Sequence, residues 1–579
     1  MKYNITLLSL LLLLSQALPA QVSLRYEENH SLPWDEAIQA YTTLAEQYDE
    51  ARLRVSGTTD VGKPLHTFII SRDRLFEPGQ VHRAGKRVVF INNGIHPGES
   101  CGIDASIELA MKLLSGEPGY REMLDHTVVV MVPVFNIGGA LNRSPFNRAN
   151  QNGPEEHGFR GNARNLDLNR DFVKMDSRNA ASLARLLTDW KPDLLLDTHS
   201  TNGADIPYTV TLISTHPLQL EKPQARFLEQ TLLPELYGAM EETPYPAIPY
   251  SHGYWSTPEE GIFGGIQYPR YLCGYASFLN TFSFTVEIHM FKPYPDRVKA
   301  TRITLEEMLK LVNRHHEELA VIREKSEQLR SERNDFVLQW EMDTTRYDLW
   351  NYTGYRAKYR VSDLTGQRQL YYDRDDIWQE EVPYYNYFNP AIRVTAPRYY
   401  IVPQAWRHVI DRLEWSGIRM ERLPADTVLE VEAYYLEEFE TTERPYNGHY
   451  WHSDVQVRKE VQPVQLYEGD LIVPLDQPAS ALIVQMLEPQ GYDSFFSWNF
   501  FDAVLSRKEY FSPYIFESKA RQLLDADPEM REAFEQKKAK DEAFASSGYA
   551  QLQWIYFRSP YSEKTYRRYP VYRLNRAAP

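Results

Sequence analysis

The sequence predicts an α/β fold for residues 21–333, a largely parallel sheet with helices on its faces, followed by an aromatic-rich, strand-containing region over 334–579. Three observations carry this. The apolar runs Val88–Asn92, Thr127–Phe135 and Asp193–Ser200 show no polar alternation, as expected of strands buried on both faces, and Phe282–Ile288 reads as a further strand. Stretches of helical spacing separate them, which is the strand-helix-strand order of a parallel sheet. Beyond Asn334 that order gives way to tyrosine- and tryptophan-rich strand patterns. At 579 residues the chain exceeds the size at which one hydrophobic core keeps growing, so two or more domains are expected.

Taken in order, Lys2, the apolar run Ile5–Leu14 and the small residues Ala17 and Ala20 have the layout of a secretory signal peptide, residues 1–20. The run is too short to span a bilayer comfortably, so export to a periplasm or the exterior is expected, with no integral membrane segment after cleavage. Trp34, Ile38, Tyr41 and Leu44 have helical spacing, and Leu53–Val55 and Leu65–Ile70 read as a hairpin around Asp60, Gly62, Lys63 and Pro64. Gly94, Pro97 and Gly98 end the first long strand in a turn. Ile103, Ile107, Ala110, Met111 and Leu114 mark a helix over 102–114, and the strand 127–135 follows. Residues 136–176 are rich in Asn, Arg and Gly and lack apolar periodicity; so long an irregular segment in a compact domain is usually functional. A helix from Ser177 to Trp190, the strand 193–200, a helix near 218–241, the strand 282–288 and helices from Arg297 to about Arg333 complete the first half. In the second half, strands at Tyr355–Val361 and Gln369–Tyr372 flank the turn Leu364–Gln367. Trp406, Ile410 and Leu413 mark a helix between Pro403 and Gly417.

A net charge of −16 argues against a nucleic-acid partner, because two polyanions repel. The two cysteines, Cys101 and Cys273, are too few for a disulfide framework, and free, buried thiols are expected.

Two of the buried strands end on histidines. His96 and Glu99 follow the first, His199 closes another, and both lie at carboxyl ends, where open α/β sheets bind ligands. Imidazole and carboxylate are zinc donors, and a catalytic zinc takes three protein ligands. Glu287 is a lone charge in an apolar strand. In order, the motifs His96-Pro97-Gly98-Glu99, Asp167-Leu168-Asn169-Arg170, Thr198-His199-Ser200 and Phe284-Thr285-Val286-Glu287 resemble those of zinc carboxypeptidases of the carboxypeptidase A type. The resemblance covers roughly Trp34 to Arg333 and implies that family's mixed, largely parallel sheet.

The resemblance implies a metallopeptidase that releases C-terminal residues from peptides, with His96, Glu99 and His199 holding one Zn2+ and Glu287 as general base. It implies that Asp167 supports the first histidine, and that Asn169 and Arg170 hold the free carboxylate of a peptide substrate. An arginine from the long loop should polarise the scissile carbonyl. Arg143, Arg148, Arg160 and Arg164 compete for that role, and Arg148 is the choice. A tyrosine preceding Glu287 should close over substrate; among Tyr268, Tyr271 and Tyr275, Tyr275 is the choice. Asp197 could also approach the site, but capping its strand end is the preferred reading. The helix and hairpin after the leader read as the start of the catalytic domain, so no inhibitory prodomain is expected.

Competing readings share these residues. Gly98-Glu99-Ser100-Cys101-Gly102 spells G-x-S-x-G between a strand and a helix, as in a serine hydrolase's nucleophile elbow. That reading leaves Asn169, Arg170 and Glu287 unemployed. The same metal ligands would also serve a zinc amidase, an endopeptidase or a deacylase acting on cell-wall or acylated amino-acid substrates. A non-catalytic binding protein would have no need of Glu287. For residues 334–579 the sequence offers no catalytic constellation, only an accessory region of unknown role.

Overall fold

The computed structural model describes residues 22–575 apart from residue 202, so the signal peptide read at 1–20 lies outside the described residues. The central element is an eight-stranded sheet. Its strands are β1 (Ala51–Thr58), β2 (Pro64–Ile70), β3 (Arg87–Asn92), β4 (Thr127–Val132), β5 (Leu194–Thr201), β6 (Val210–Ser214), β7 (Ala247–Pro249) and, after the two short strands β8 (Gly253–Tyr254) and β9 (Ile262–Phe263), β10 (Phe282–His289). The order across the sheet is β1-β2-β4-β3-β5-β10-β6-β7. The centre, β4-β3-β5-β10, is parallel, whereas β1-β2, β2-β4 and β10-β6 are antiparallel. The sheet is therefore mixed, as expected.

The unalternating apolar runs are explained by burial on both faces. Val88 and Phe90 of β3 join one hydrophobic cluster with Leu183 and Leu187, while Val89 and Ile91 join another with Ile107 and Val298. Each such fully buried side chain contributes roughly 1.5–3 kcal/mol of transfer free energy. Helices Cys101–Ser115 and Tyr294–Arg314 cover the second face, and helix Arg178–Trp190 covers the first.

Two expectations need correction. The single helix expected near 218–241 is broken into Lys222–Phe227, a π turn at Leu228–Leu232 and Leu233–Glu241. Pro234 lacks the N–H that an uninterrupted α-helix would use there. The strand expected over 127–135 stops at Val132, because Pro133 cannot donate to the ladder.

The second half contributes β11 (Asp335–Met342), β12 (Asp348–Val361), β13 (Arg368–Tyr385), β14 (Phe388–Thr395), β15 (Tyr399–Val402), β16 (Glu421–Arg422), β17 (Thr427–Thr441), β18 (His452–Leu466), β19 (Leu471–Pro474) and β20 (Tyr572–Leu574). Six of these form a second sheet, β16-β19-β15-β20-β17-β18, and the hairpin β12-β13 adds the short β9 and β8 of the first half to its own sheet. The boundary read near 333 is no break in the core: Phe336, Tyr400, Leu482, Trp498 and Tyr569 share one cluster with Val88, Phe90 and Leu183. Both cysteines are free and buried. No helix among the described residues is long and apolar enough to cross a membrane.

Candidate metal centre

The site forms where β3 and β5, paired in parallel with Asn92 opposite Asp197, run out at their carboxyl ends. The turn after β3 carries His96 and Glu99; β5 carries His199. Behind them the helix starting at Cys101 approaches β5 closely, because Gly102 has no side chain: a Cβ there would lie 1.9 Å from Thr198 Oγ1. Asn93 Oδ1 ties helix and strand, accepting from Ser106 Oγ at 3.0 Å and Thr198 Oγ1 at 2.9 Å. The second glycine of the G-x-S-x-G string thus serves helix–sheet packing. Ser100 is buried at the start of that helix, and among the described residues no histidine hydrogen-bonds it.

Ligand atoms of His96, Glu99 and His199 lie within 4.8 Å of one another. His96 Nδ1 is 3.4 Å from Glu99 Oε1, and His199 Nδ1 is 3.0 Å from Glu99 Oε2. All three residues are buried, and His96 Nδ1 has no hydrogen-bond partner among the described residues. The ring nitrogens on the far side are both engaged: His96 Nε2 with Asp167 Oδ1 at 2.9 Å, and His199 Nε2 with Asp197 Oδ2 at 2.7 Å. This is the carboxylate–histidine arrangement that turns an imidazole's other nitrogen toward a metal. Two imidazoles and a carboxylate converging from one side fit zinc.

Asp197 is therefore a correction. It does not cap its strand; it also accepts from Asn92 Nδ2 at 2.8 Å and orients His199. The signal was present in the sequence, because residues two apart on a strand share a face.

Burial alone would raise the Glu99 carboxyl, but the Arg148 guanidinium and both imidazoles hold it well below the usual carboxylate range. Burial likewise fails to raise Asp167, which His96, Arg160 and Arg170 hold low. For His199 burial is outweighed by Asp197 and Glu99, which raise the imidazole well above its ordinary value. Metal binding would take the place of that proton.

Glu287 sits on β10 directly opposite His199 on the parallel neighbour β5, so both side chains leave the same face of the sheet. Burial pushes its carboxyl up to about 7, with His199 opposing. Glu287 and the three donor residues line one cavity of about 570 Å³, together with Arg148, Arg160, Asn169, Arg170 and Tyr271.

Of the four loop arginines, two reach this cavity. Arg148 Nη1 donates to Glu99 Oε1 at 2.6 Å and Nη2 to Ser200 O at 3.2 Å. Gly98 allows this approach, since a Cβ there would lie 2.7 Å from Arg148 Cδ. Arg160 contacts Asp167 Oδ2 through Nε at 3.0 Å and Nη2 at 2.9 Å, with 45% of its side chain exposed. Arg143 instead binds the Ser31 and Glu156 carbonyls, and Arg164 the Asp176 carbonyl.

Asn169 and Arg170 occupy a short 3-10 turn capped by Asp167, whose Oδ1 accepts from Asn169 N at 3.0 Å. Asn169 Oδ1 accepts from Leu272 N at 3.0 Å. The Arg170 guanidinium lies 4.3 Å from the Tyr271 ring centroid, and its Nε donates to Tyr446 Oη at 2.9 Å. Tyr275 does not belong to the site. It is fully buried, one helical turn beyond Tyr271, and packs against Phe172 in the core. Tyr268 stacks on Tyr492. Of these three, Tyr271, extended just before helix Leu272–Ser277, lines the cavity, as does Tyr250. Tyr446 and its neighbour Asn447 carried no signal in the sequence.

Residues 38–190, which include His96, Glu99, Asp167, Asn169 and Arg170, match the zinc carboxypeptidase family. The likeness to the zinc carboxypeptidases is carried by that segment. His199 and Glu287 lie outside the matched residues, and the sheet brings them to the same cavity. Carboxypeptidase 2 of Trichophyton rubrum is 29% identical over 109 residues, which are 19% of this chain and 20% of that protein. The chain thus spans about a fifth of the length of the curated relatives it matches. Among solved structures, carboxypeptidase A from Helicoverpa armigera is 14% identical at a TM-score of 0.39, over 55% of this chain and 79% of that one. A metallo-carboxypeptidase from Pseudomonas aeruginosa is 18% identical at a TM-score of 0.37, over 50% and 70%. Arg170 also contacts a residue from the far half of the chain, Tyr446.

Proposed function

We propose that this protein is an exported zinc carboxypeptidase that removes C-terminal residues from peptides. The observation that supports this best is that the donor set His96, Glu99 and His199 shares one cavity with Glu287, Asn169 and Arg170. When bound, zinc supplies Lewis acidity toward the scissile carbonyl and lowers the pKa of the attacking water. Glu287 takes the proton from that water and passes it to the leaving amine. A carboxyl raised to about 7 by burial suits a group that must gain and lose a proton near neutrality. Arg148 and Arg160, both on the cavity wall, place positive charge beside the developing oxyanion. Arg170 grips the substrate's terminal carboxylate with a planar fork, and Asn169 lies next to it. Tyr271 on the cavity wall closes over the bound residue. The signal peptide read at 1–20 supports export.

The test is hydrolysis of blocked peptides with free or amidated C-termini by the wild type and Glu287→Gln. The wild type should release only the last residue and only from free carboxylates. Glu287→Gln should lower kcat by about 10²–10⁴ with zinc content unchanged. Equal cleavage of amidated or internal bonds would move the assignment to an amidase or endopeptidase, and a fully active Glu287→Gln would end the mechanism.

A further inference from the structure

The hairpin β17-β18 of the second half sends its connecting loop, residues 442–451, to the segment that carries Asp167, Asn169 and Arg170. Four contacts join them. Asn447 Oδ1 accepts from Asp167 N at 2.8 Å, and Asn447 Nδ2 donates to Asp167 O at 3.2 Å. Tyr446 Oη accepts from Arg170 Nε at 2.9 Å. His449 Nε2 lies 2.7 Å from Asp176 Oδ2, just past the same segment.

The loop is itself held in shape. Tyr446 and His449 exchange backbone hydrogen bonds of 2.7 and 3.2 Å around Asn447, which adopts the left-handed conformation at φ 48°. The Tyr446 ring stacks at 5.9 Å on Trp498, a fully buried side chain. The partner segment is irregular: residues 142–167 contain no helix or strand.

An arginine side chain has many rotamers, and its grip on a carboxylate is only as good as its orientation. Arg170 is fixed on three sides, by Tyr446 at Nε, by the Asn169 carbonyl at Nη1 (2.7 Å) and by the Tyr271 ring against its plane. With Nε occupied, the edge left for a two-oxygen ligand is Nη1–Nη2, and Nη2 has no hydrogen bond among the described residues.

We propose that the 442–451 loop is a working part of the active site: Tyr446 is a positioning residue that aims Arg170 at the substrate's terminal carboxylate, and Asn447 holds the turn on which Arg170 sits. The second half of the chain is then required for substrate recognition. This rests on the reading of Arg170 as the carboxylate clamp, and the experiment separates the two.

The full-length zinc-loaded protein is compared with Tyr446→Phe, Asn447→Gly and Arg170→Lys, using a blocked dipeptide acid as substrate. Tyr446→Phe removes one oxygen from a partly exposed ring, and Asn447→Gly keeps the left-handed backbone while removing both amide contacts. Binding of the same acid and of its amide is measured calorimetrically in the Glu287→Gln background. Tyr446→Phe and Asn447→Gly should each raise KM and Kd for the acid about tenfold, with kcat within about twofold and binding of the amide unchanged. If Arg170→Lys raises KM while both loop variants keep wild-type KM, the loop proposal is overturned and the carboxylate clamp stands. If Arg170→Lys also leaves KM unchanged, the clamp itself is wrong. If the loop variants weaken acid and amide equally, the loop is merely structural and the proposal likewise falls.

Discussion

Replacing Arg270 by methionine should destabilise the junction of the two halves more than any single surface change. Arg270 is 6% exposed; its Nε donates to Asp493 Oδ1 at 2.7 Å and its backbone N to Asp493 Oδ2 at 2.9 Å. Asp493 is completely buried, and the guanidinium lies 4.9–5.4 Å from the ring centroids of Trp451, Tyr492, Trp498 and Tyr446. Methionine fills most of the volume and keeps contact with the rings, so the main loss is the counter-charge. Removing one partner of a buried pair costs about 3–5 kcal/mol, because the other charge is left without compensation.

The pH dependence provides a second check. Burial already raises the Asp493 carboxyl, with Arg270 opposing, and without Arg270 it rises further. A carboxyl whose folded pKa is raised keeps a proton that the unfolded chain loses near pH 4, so stability falls as pH rises through that window. The deficit of Arg270→Met should therefore be larger at pH 8 than at pH 5. In Arg270→Met/Asp493→Leu most of the loss should return, since apolar replacement of a whole buried pair is often neutral. Guanidinium unfolding followed by the fluorescence of the eleven tryptophans, Trp451 and Trp498 at the junction among them, reads the loss. A loss below about 1 kcal/mol at pH 8, or a double variant no better than the single, would refute the argument.

Three further outcomes are expected. Asp167→Asn and Asp197→Asn should each weaken zinc binding about 10–100-fold in chelator competition, because each carboxylate orients one histidine donor. Asp104 is buried and hydrogen-bonded to Tyr294, and burial raises its carboxyl to about 7. Between about pH 4 and 7 the folded chain therefore holds a proton that the unfolded chain has released, so wild-type stability should decline across that range by on the order of 3–4 kcal/mol. Asp104→Asn should remove this slope in denaturation series at pH 5 and 8, and an unchanged slope would count against it. Gly102→Ala, which in an open helix would stabilise by up to about 1 kcal/mol, should instead cost roughly 1–3 kcal/mol and weaken zinc binding. Its methyl would overlap Thr198 beside His199.

Much of the site was legible because its parts sit at the ends of strands whose apolar runs reflect burial on both faces. His96, Glu99, His199 and Glu287 could be placed in this way, and the parallel register of β5 and β10 sets Glu287 opposite His199. Asp197 was legible but misread: its two-residue spacing from His199 meant a shared face. The choice of Tyr275 over Tyr271 failed because both stand in one tyrosine-rich segment, where the sequence does not say which end of a six-residue helix faces the cavity. The loop arginines could not be ranked, since 136–176 has no periodicity from which to infer direction.

By itself the sequence determined the strands, the order of the motifs and the chemical identity of the candidate metal donors, because local burial patterns and residue types are written in short stretches. Only the tertiary structure decided which arginines and tyrosines enter the cavity, and that the second half shares the core and reaches the turn that carries Asp167 and Arg170. Tyr446 and Arg170 stand 276 residues apart, and Asn447 and Asp167 stand 280 apart. Contacts of that separation depend on how two folded surfaces meet, and no local pattern records it.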